Sequence, residues 1–331
     1  MKIPPVARLL LWPLSVVYGV VVRLRVWMYA RGVRKQRRLK TPVISVGNLT
    51  VGGTGKTPMV IWLAERFLAE GKRVGILSRG YRGDGKTSDE IELMRYRLNN
   101  RVLFGVGKNR YEQGRLLEEK GVDVFLVDDG YQHLQLARNA NILLLDGSRK
   151  LKNEWLLPAG ELREPISSSR RADLIVVTRK AEHFVLEAQD SLTHNIFYSQ
   201  MQLLGFRDLG RPEEEKYLSE IGPGPFFAFC GIGNPEAFLE DLRWWHVPIC
   251  GHKFFRDHHR YRQGDANQLE EAATKKGAVG FVTTEKDWMN LKALGKLAMP
   301  VFVAAVSLSV RSESEFSACL ERKLNSTGVS I

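Results

Sequence analysis

Short apolar runs rich in β-branched residues alternate with amphipathic stretches along most of the chain. Runs without polar alternation are typical of strands in a parallel sheet that helices cover on both faces. The amphipathic stretches 57–70 and 111–120 have the apolar spacing of such helices. The pattern therefore predicts an α/β domain with a doubly wound, mostly parallel sheet. Its candidate strands are 42–47, 73–78, 102–105, 124–128, 142–146 and 174–178.

A charged stretch that also carries proline and glycine interrupts this pattern at 206–225 and predicts a linker. Apolar runs resume at 226–231, 279–283 and 301–306. We therefore expect a larger domain over 41–205 and a second, smaller α/β domain over 226–331.

The N-terminal 40 residues differ from the rest because an uncharged apolar stretch, 9–22, lies between Arg8 and Arg23. This stretch is shorter than the roughly 17–25 residues that a membrane-spanning helix needs, and its one proline and one glycine weaken it further. Residues 1–40 are predicted to form an amphipathic anchor that lies on the membrane, with its basic flank on the cytoplasmic side. Two alternatives stay open: a helix buried against the domain and a helix that spans the bilayer.

The distribution of charge supports a membrane or lipid partner. The chain has 49 Lys and Arg against 37 Asp and Glu, a net charge of +12. The first acidic residue is Glu65 and 11 basic residues precede it, so nearly the whole imbalance lies in the first fifth of the chain. A nucleic-acid-binding protein spreads its cations over a folded surface, and no such partner is expected here. A basic end beside apolar residues favours an anionic membrane or lipid.

The strongest chemical signal is Val-Gly-Asn-Leu-Thr-Val-Gly-Gly-Thr-Gly-Lys-Thr-Pro at 46–58, between a predicted strand and a predicted helix. Glycine-rich loops in this context bind phosphate through backbone N–H groups. Lys56 is predicted to contact the β- and γ-phosphates of ATP, and Thr57 to bind Mg²⁺. The usual pattern has glycine where this chain has Thr50, so the loop is a variant. The residues predicted to hold the nucleotide are Gly52, Gly53, Thr54, Gly55, Lys56 and Thr57.

Two acids, Asp128 and Asp129, end the apolar run that begins at Val124. A carboxylate at the carboxyl end of a strand, beside a phosphate loop, is placed to hold Mg²⁺ or its water shell. Either acid can do this, and the sequence does not choose between them.

Six motifs in order along the chain resemble the tetraacyldisaccharide 4′-kinase family, which acts in the lipid A pathway of Gram-negative bacteria. The resemblance implies a P-loop domain, a smaller C-terminal domain, and transfer of the γ-phosphoryl group of ATP, with Mg²⁺, to the 4′-hydroxyl of a tetraacyldisaccharide 1-phosphate. It also implies an anionic glycolipid substrate and a place on the cytoplasmic side of the inner membrane. The motifs are the phosphate loop (46–58), Ser-Arg-Gly-Tyr (78–81), Asp-Asp-Gly-Tyr-Gln-His (128–133), Leu-Pro-Ala-Gly-Glu-Leu-Arg-Glu-Pro (157–165), Asp-His-His (257–259) and Thr-Thr-Glu-Lys-Asp (283–287).

The resemblance also implies roles for individual residues. Asp89 would be the catalytic base and His258 its orienting partner. The alternatives are that Asp89 is an ordinary loop acid and that the adjacent His259 is the active histidine. Arg163 would bind phosphate. The acids Glu90 and Glu164 would be metal ligands, and for Glu164 a plain ion pair is the alternative reading.

Two other classes of function compete with a lipid kinase. A membrane-surface ATPase of the partitioning or targeting type also combines a glycine-rich phosphate loop with an amphipathic helix, but it usually carries an extra lysine where this chain has Val51. A non-catalytic lipid or nucleic-acid adaptor that uses the basic end would need neither the intact Lys56-Thr57 pair nor the strand that ends in Asp128 and Asp129. The sequence leaves the oligomeric state open.

Overall fold

The structure, a computed structural model, describes residues 4–80, 88–148, 154–179, 195–209, 211–291, 294 and 297–327. The chain divides into two compact units. The first unit comprises Met1–Lys86, Arg97–Gln200 and Ser309–Ile331, and the second comprises Thr87–Tyr96 and Met201–Leu308.

Helices and strands alternate along the chain as the apolar pattern predicted. The helices are α1 (Pro5–Ala30), α2 (Lys56–Ala69), α3 (Asp89–Arg97), α4 (Arg110–Glu118), α5 (Pro235–Trp244), α6 (Gln263–Lys275), α7 (Glu285–Trp288) and α8 (Glu313–Ser326). The strands are β1 (Val43–Asn48), β2 (Val74–Ser78), β3 (Leu103–Val106), β4 (Val124–Val127), β5 (Ala140–Asp146), β6 (Leu174–Thr178), β7 (Asn195–Asp208), β8 (Arg211–Lys216), β9 (Phe226–Cys230), β10 (Ile249–Phe254), β11 (Gly280–Thr284) and β12 (Val301–Val310). Short 3-10 helices lie at Ile166–Arg171 and Leu218–Glu220.

The first unit contains a parallel sheet in the order β3-β2-β4-β1-β5-β6-β7. Every residue of β1 is buried, because strands flank it on both sides and helices cover the sheet. The carboxyl end of β1 leads directly into the phosphate loop, where open α/β sheets bind their ligands. The doubly wound, mostly parallel fold predicted from the apolar runs is confirmed.

The second unit has its own parallel strands, in the order β10-β9-β11-β12. Its core is aromatic, and Phe229 packs edge-to-face against both Tyr261 and Phe281. All three of these side chains are fully buried, so the smaller unit has a hydrophobic core of its own.

The stretch predicted as a linker is structured. Residues 206–225 include the end of β7, the whole of β8 and a 3-10 helix. β8 pairs antiparallel with β7, with Phe206 opposite Lys216. The charged sequence of β8 suggested a linker because an edge strand carries polar side chains that a buried strand lacks.

Neither unit is one continuous stretch of the chain, as the predicted domain boundaries assumed. Helix α8 belongs to the first unit, where Phe316 packs edge-to-face on Trp62 of α2 and Phe197 of β7. The segment that begins α3 belongs to the second unit.

Helix α1 is longer than the sequence suggested. It runs unbroken through Pro13 and Gly19 and continues past Arg23 for another two turns. Only 11% of its most apolar window is buried inside the protein, which leaves little support for a buried N-terminal helix. By length and composition alone, Val6–Ala30 is long and apolar enough to cross a membrane.

Candidate active site

The phosphate loop joins β1 to α2 and depends on two glycines with left-handed backbone. Gly52 has φ +105° and Gly55, which precedes the first turn of α2, has φ +82°. A side chain at either position would strain the backbone, so glycine is required there. Lys56 is the first residue of α2, and the N–H groups of that turn are available to an anion.

Asp129 is the electrostatic centre of this site. Both of its carboxylate oxygens lie 2.8 Å from Nη1 of Arg163, and Nζ of Lys56 lies 3.6 Å from Oδ1. Burial opposes ionisation of Asp129, but Lys56 and Arg163 outweigh it and lower its pKa. One carboxylate therefore joins the phosphate loop to the segment that carries Arg163.

The segment 154–165 lies along the phosphate loop through backbone hydrogen bonds. The N–H of Arg163 donates to the carbonyl of Leu49 (2.7 Å), and the N–H of Val51 donates to the carbonyl of Glu161 (2.8 Å). Thr50 and Leu162 form an antiparallel bridge between these two bonds. The loop with the predicted Arg-Glu pair is thus fixed beside the predicted phosphate site.

Glu164 is placed differently from its neighbour. Its buried carboxylate forms an ion pair with Arg171 at 2.7 Å. This contact matches the alternative reading from the sequence, an ion pair within the loop. The metal-binding role of Glu164 stays a prediction.

The predicted Mg²⁺ ligands differ in whether their oxygens already accept hydrogen bonds from an arginine. Thr57 and Asp128 offer the hard oxygen donors that Mg²⁺ prefers. Both oxygens of Asp129 already accept from Arg163, which makes Asp128 the better candidate of the two acids. Asp128 is buried at the end of β4, where its carbonyl accepts a hydrogen bond from Arg110 (2.9 Å). This donor set fits Mg²⁺ in chemical character.

His133, the last residue of Asp-Asp-Gly-Tyr-Gln-His, lies among arginines. Burial lowers its pKa to about 4, and the positive charges of four arginines act in the same direction. The imidazole is therefore neutral at pH 7. The arginines are Arg25, Arg79, Arg110 and Arg138.

A carboxylate–imidazole pair occupies the second unit. Nδ1 of His258 lies 2.9 Å from both carboxylate oxygens of Asp89, the first residue of α3. The amide of Asn290 donates to the same carboxylate at 3.2 Å. His259 instead contacts Asp265 at 3.0 Å, so it is His258 that faces Asp89.

Lys286 provides the positive charge for this acidic cluster. Its Nζ lies 2.9 Å from Asp257, 3.2 Å from Glu90 and 3.9 Å from Asp89. Burial opposes the lysine's charge, yet these carboxylates outweigh burial and raise its pKa.

The two acids at the start of α3 respond oppositely to this environment. Burial alone would raise the pKa of Asp89, but the hydrogen bond from His258 and the positive charge of the nearby Lys286 lower it well below its usual range. Burial raises the pKa of Glu90. The hydrogen bond to Asp89 raises the pKa of His258.

Asp89, Glu90 and His258 can also be considered as metal ligands. Within the part of the chain that the structure describes, they form the one group of three potential ligands whose atoms lie within 4.8 Å of one another. Lys286 already contributes a positive charge at this point. The predicted metal-binding role of Glu90 stays a prediction.

A buried carboxylate supports the backbone of His258. Asp287 accepts hydrogen bonds from the N–H of Gly231 (2.8 Å) and the hydroxyl of Tyr261 (2.7 Å). The carbonyl of Gly231 then accepts from the N–H of His258 at 3.1 Å. This support matters because His258 has φ +58°, a conformation that costs a non-glycine residue energy.

Known proteins resemble this chain along nearly its full length. A protein-family model described as tetraacyldisaccharide-1-P 4′-kinase matches residues 7–325. The chain belongs to this family. Tetraacyldisaccharide 4′-kinase of Geobacter sulfurreducens is 39% identical over 94% of this chain and 92% of its own length. That of Geobacter metallireducens is 37% identical over 95% and 98%.

A solved structure agrees with the family assignment. The crystal structure of LpxK from Aquifex aeolicus in complex with ATP is 31% identical, with a TM-score of 0.74. The match covers 96% of this chain and 99% of that one. The family resemblance inferred from the six motifs is thereby confirmed.

The structure brings the predicted site residues together in two sets. Lys56, Asp129 and Arg163 meet in the first unit, and Asp89, Glu90 and His258 meet in the second. Sequence reasoning assigned no role to several residues that contact these sets or hold the backbone beside them. Lys286 and Asp287 lie in a motif that was recognised, whereas no sequence signal pointed to Arg110 or Asn290. The missed contacts are made by Arg110, Asp257, Lys286, Asp287 and Asn290.

We expect His133 to titrate near pH 4 in the folded protein, against about 6.5 in the unfolded chain. The unfolded state therefore binds its proton first as the pH falls, and the folded state loses stability below about pH 6.5. Histidine NMR gives the midpoint, and melting temperatures at pH 7 and pH 5 give the stability difference. His133→Gln should lose less stability over this interval than the unmodified chain. A midpoint near 6.5 would contradict the burial of His133 among arginines.

Proposed function

We propose that this chain transfers the γ-phosphoryl group of ATP to the 4′-hydroxyl of a tetraacyldisaccharide 1-phosphate. The family match supports the reaction, and the phosphate loop supports the donor nucleotide. The observation that carries the proposal is the Asp89–His258 pair. An ATPase switch without a small-molecule acceptor has no acceptor hydroxyl to deprotonate and needs no such pair.

The first unit binds the nucleotide. The backbone N–H groups between Gly52 and Thr57 cradle the β- and γ-phosphates, and Lys56 neutralises their charge. Arg163 helps to position Lys56 through Asp129, because both cations contact that carboxylate. Thr57 and Asp128 would hold Mg²⁺, which when bound neutralises charge on the transferred group.

The second unit receives the proton of the acceptor hydroxyl. The hydrogen bond between them raises the pKa of His258 and helps to lower that of Asp89, so the imidazole is the stronger base of the two. Asn290 and Lys286 hold the Asp89 carboxylate against rotation. The pair orients the acceptor hydroxyl and accepts its proton. Charge neutralisation at the phosphate loop provides most of the catalysis.

The location that fits this substrate is the cytoplasmic face of the inner membrane, through α1 and the basic residues after it. The exposed apolar side chains of α1 favour lipid contact, and the basic flank favours anionic headgroups on the cytoplasmic side. The flanking basic residues are Arg31, Arg34, Lys35, Arg37, Arg38 and Lys40.

The direct test of function follows the label of γ-labelled ATP. The purified chain is incubated with Mg²⁺ and tetraacyldisaccharide 1-phosphate in detergent micelles, and the lipid and aqueous fractions are counted separately. We expect lipid-dependent label at the 4′-position of the disaccharide. Label found only as free phosphate would overturn the kinase proposal and favour the membrane-surface ATPase.

Asp89→Asn tests the Asp89–His258 pair. We expect kcat to fall on the order of 10²–10⁴-fold, the usual contribution of a general base, while ATP affinity changes little. His258→Gln should have an effect of the same kind. His259→Gln is the matched control, because His259 lies on the same segment but contacts Asp265. Loss of ATP binding with transfer per bound ATP unchanged would show that Asp89 has another role.

A further inference from the structure

A groove of about 600 Å³ runs between α1 and the segment 154–166, entirely within the first unit. Trp12, Val16 and Val20 line it from α1, and Trp155, Leu156 and Ile166 line it from the opposite side. The three α1 residues are four positions apart and so share one face of the helix. About half of each of these α1 side chains is exposed: 52% for Trp12, 46% for Val16 and 57% for Val20.

The groove is a fixed feature of the fold because α1 is held against its opposite wall. Arg8 pairs with Glu154 at 3.1 Å, and the hydroxyl of Ser15 donates to the carbonyl of Leu156. The hydroxyl of Tyr18 donates to the carbonyl of Arg163 at 2.9 Å. These contacts bind the helix without filling the apolar space beside it.

The dimensions and charge of the groove match a lipid chain. Its α1 residues run from Trp12 to Arg23, a distance of about 16 Å along a helix. One leaflet of a bilayer has a hydrocarbon depth of about 15 Å, half of the full core. Since Arg8 pairs with Glu154, the charge left along the groove is that of Arg23, which favours an anionic lipid.

The groove and the predicted phosphate site are lined by neighbouring residues of the chain. Leu162 lines the groove, and the next residue, Arg163, binds Asp129 beside Lys56. An acyl chain held in the groove would therefore be part of a lipid whose headgroup reaches this site. We propose that the groove binds one acyl chain of the tetraacyldisaccharide substrate, an inference that rests on the proposed kinase function.

The proposal is tested by filling the groove. Val16→Trp and Val20→Trp place a large side chain in it, while Val17→Trp and Val21→Trp place the same side chain on exposed positions of α1 outside the groove. The KM for lipid and for ATP is measured with micelles of one composition, and vesicle sedimentation measures membrane binding. We expect the groove variants to raise the lipid KM on the order of tenfold, the effect of losing about two buried methylene groups. Their KM for ATP and their sedimentation should match the control variants.

Equal lipid KM values for groove and control variants would overturn the proposal, and so would a parallel rise in the KM for ATP. Absence of transfer to lipid by the unmodified chain would instead overturn the kinase function itself. A labelling experiment on the unmodified chain keeps the proposal testable if the groove variants fold poorly. Substrate with a photoreactive acyl chain should label the 154–166 segment of the unmodified chain, and excess unlabelled substrate should prevent it. Equal labelling by a bilayer phospholipid with the same photoreactive chain would show a general lipid contact and overturn the assignment to substrate.

Discussion

The first unit depends on the charge balance around Asp129. This carboxylate sits at the end of β4 in a left-handed conformation, with φ +48°, and is held by Arg163 and Lys56. Without these two cations this partly buried carboxylate would be costlier to ionise. The cations in turn would repel each other without the carboxylate. One ionic contact thus fixes the phosphate loop, the Asp-Asp-Gly motif and the segment 154–165 in a single arrangement.

The position of α1 follows from this contact. Tyr18 and Ser15 bind carbonyls of the segment that carries Arg163, so the apolar helix is attached to the wall of the phosphate site. The second unit uses a comparable device, in which the buried carboxylate of Asp287 holds Gly231 and through it the backbone of His258. In both units a hydrogen-bonded acid orders backbone segments, and the side chains proposed for chemistry are carried on those segments.

The sequence predicted best what local patterns encode. The buried strands β1, β4 and β6 are continuous apolar runs, and the phosphate loop is a contiguous motif, so both were visible without tertiary information. The pairing of Glu164 with Arg171 and the contact of Asn290 with Asp89 could not be predicted, because each depends on segments brought together by folding. The polar edge strand β8 was read as a linker, since its sequence lacks the apolar run of a buried strand. Arg23 ends the apolar stretch that the sequence shows, but α1 continues past it to Ala30.

The most direct test of this account is a double-mutant cycle on Asp129 and Arg163. Asp129→Asn, Arg163→Gln and the double variant are compared by kcat/KM for ATP in the lipid phosphorylation reaction. If the ion pair fixes the site, either single change breaks it, and the double variant should be little worse than the poorer single variant. The coupling energy should then lie in the upper part of the range of about 0.5–3 kcal/mol found for contacting residues. Effects that add within about 0.5 kcal/mol would show that the two residues act independently and would contradict the account.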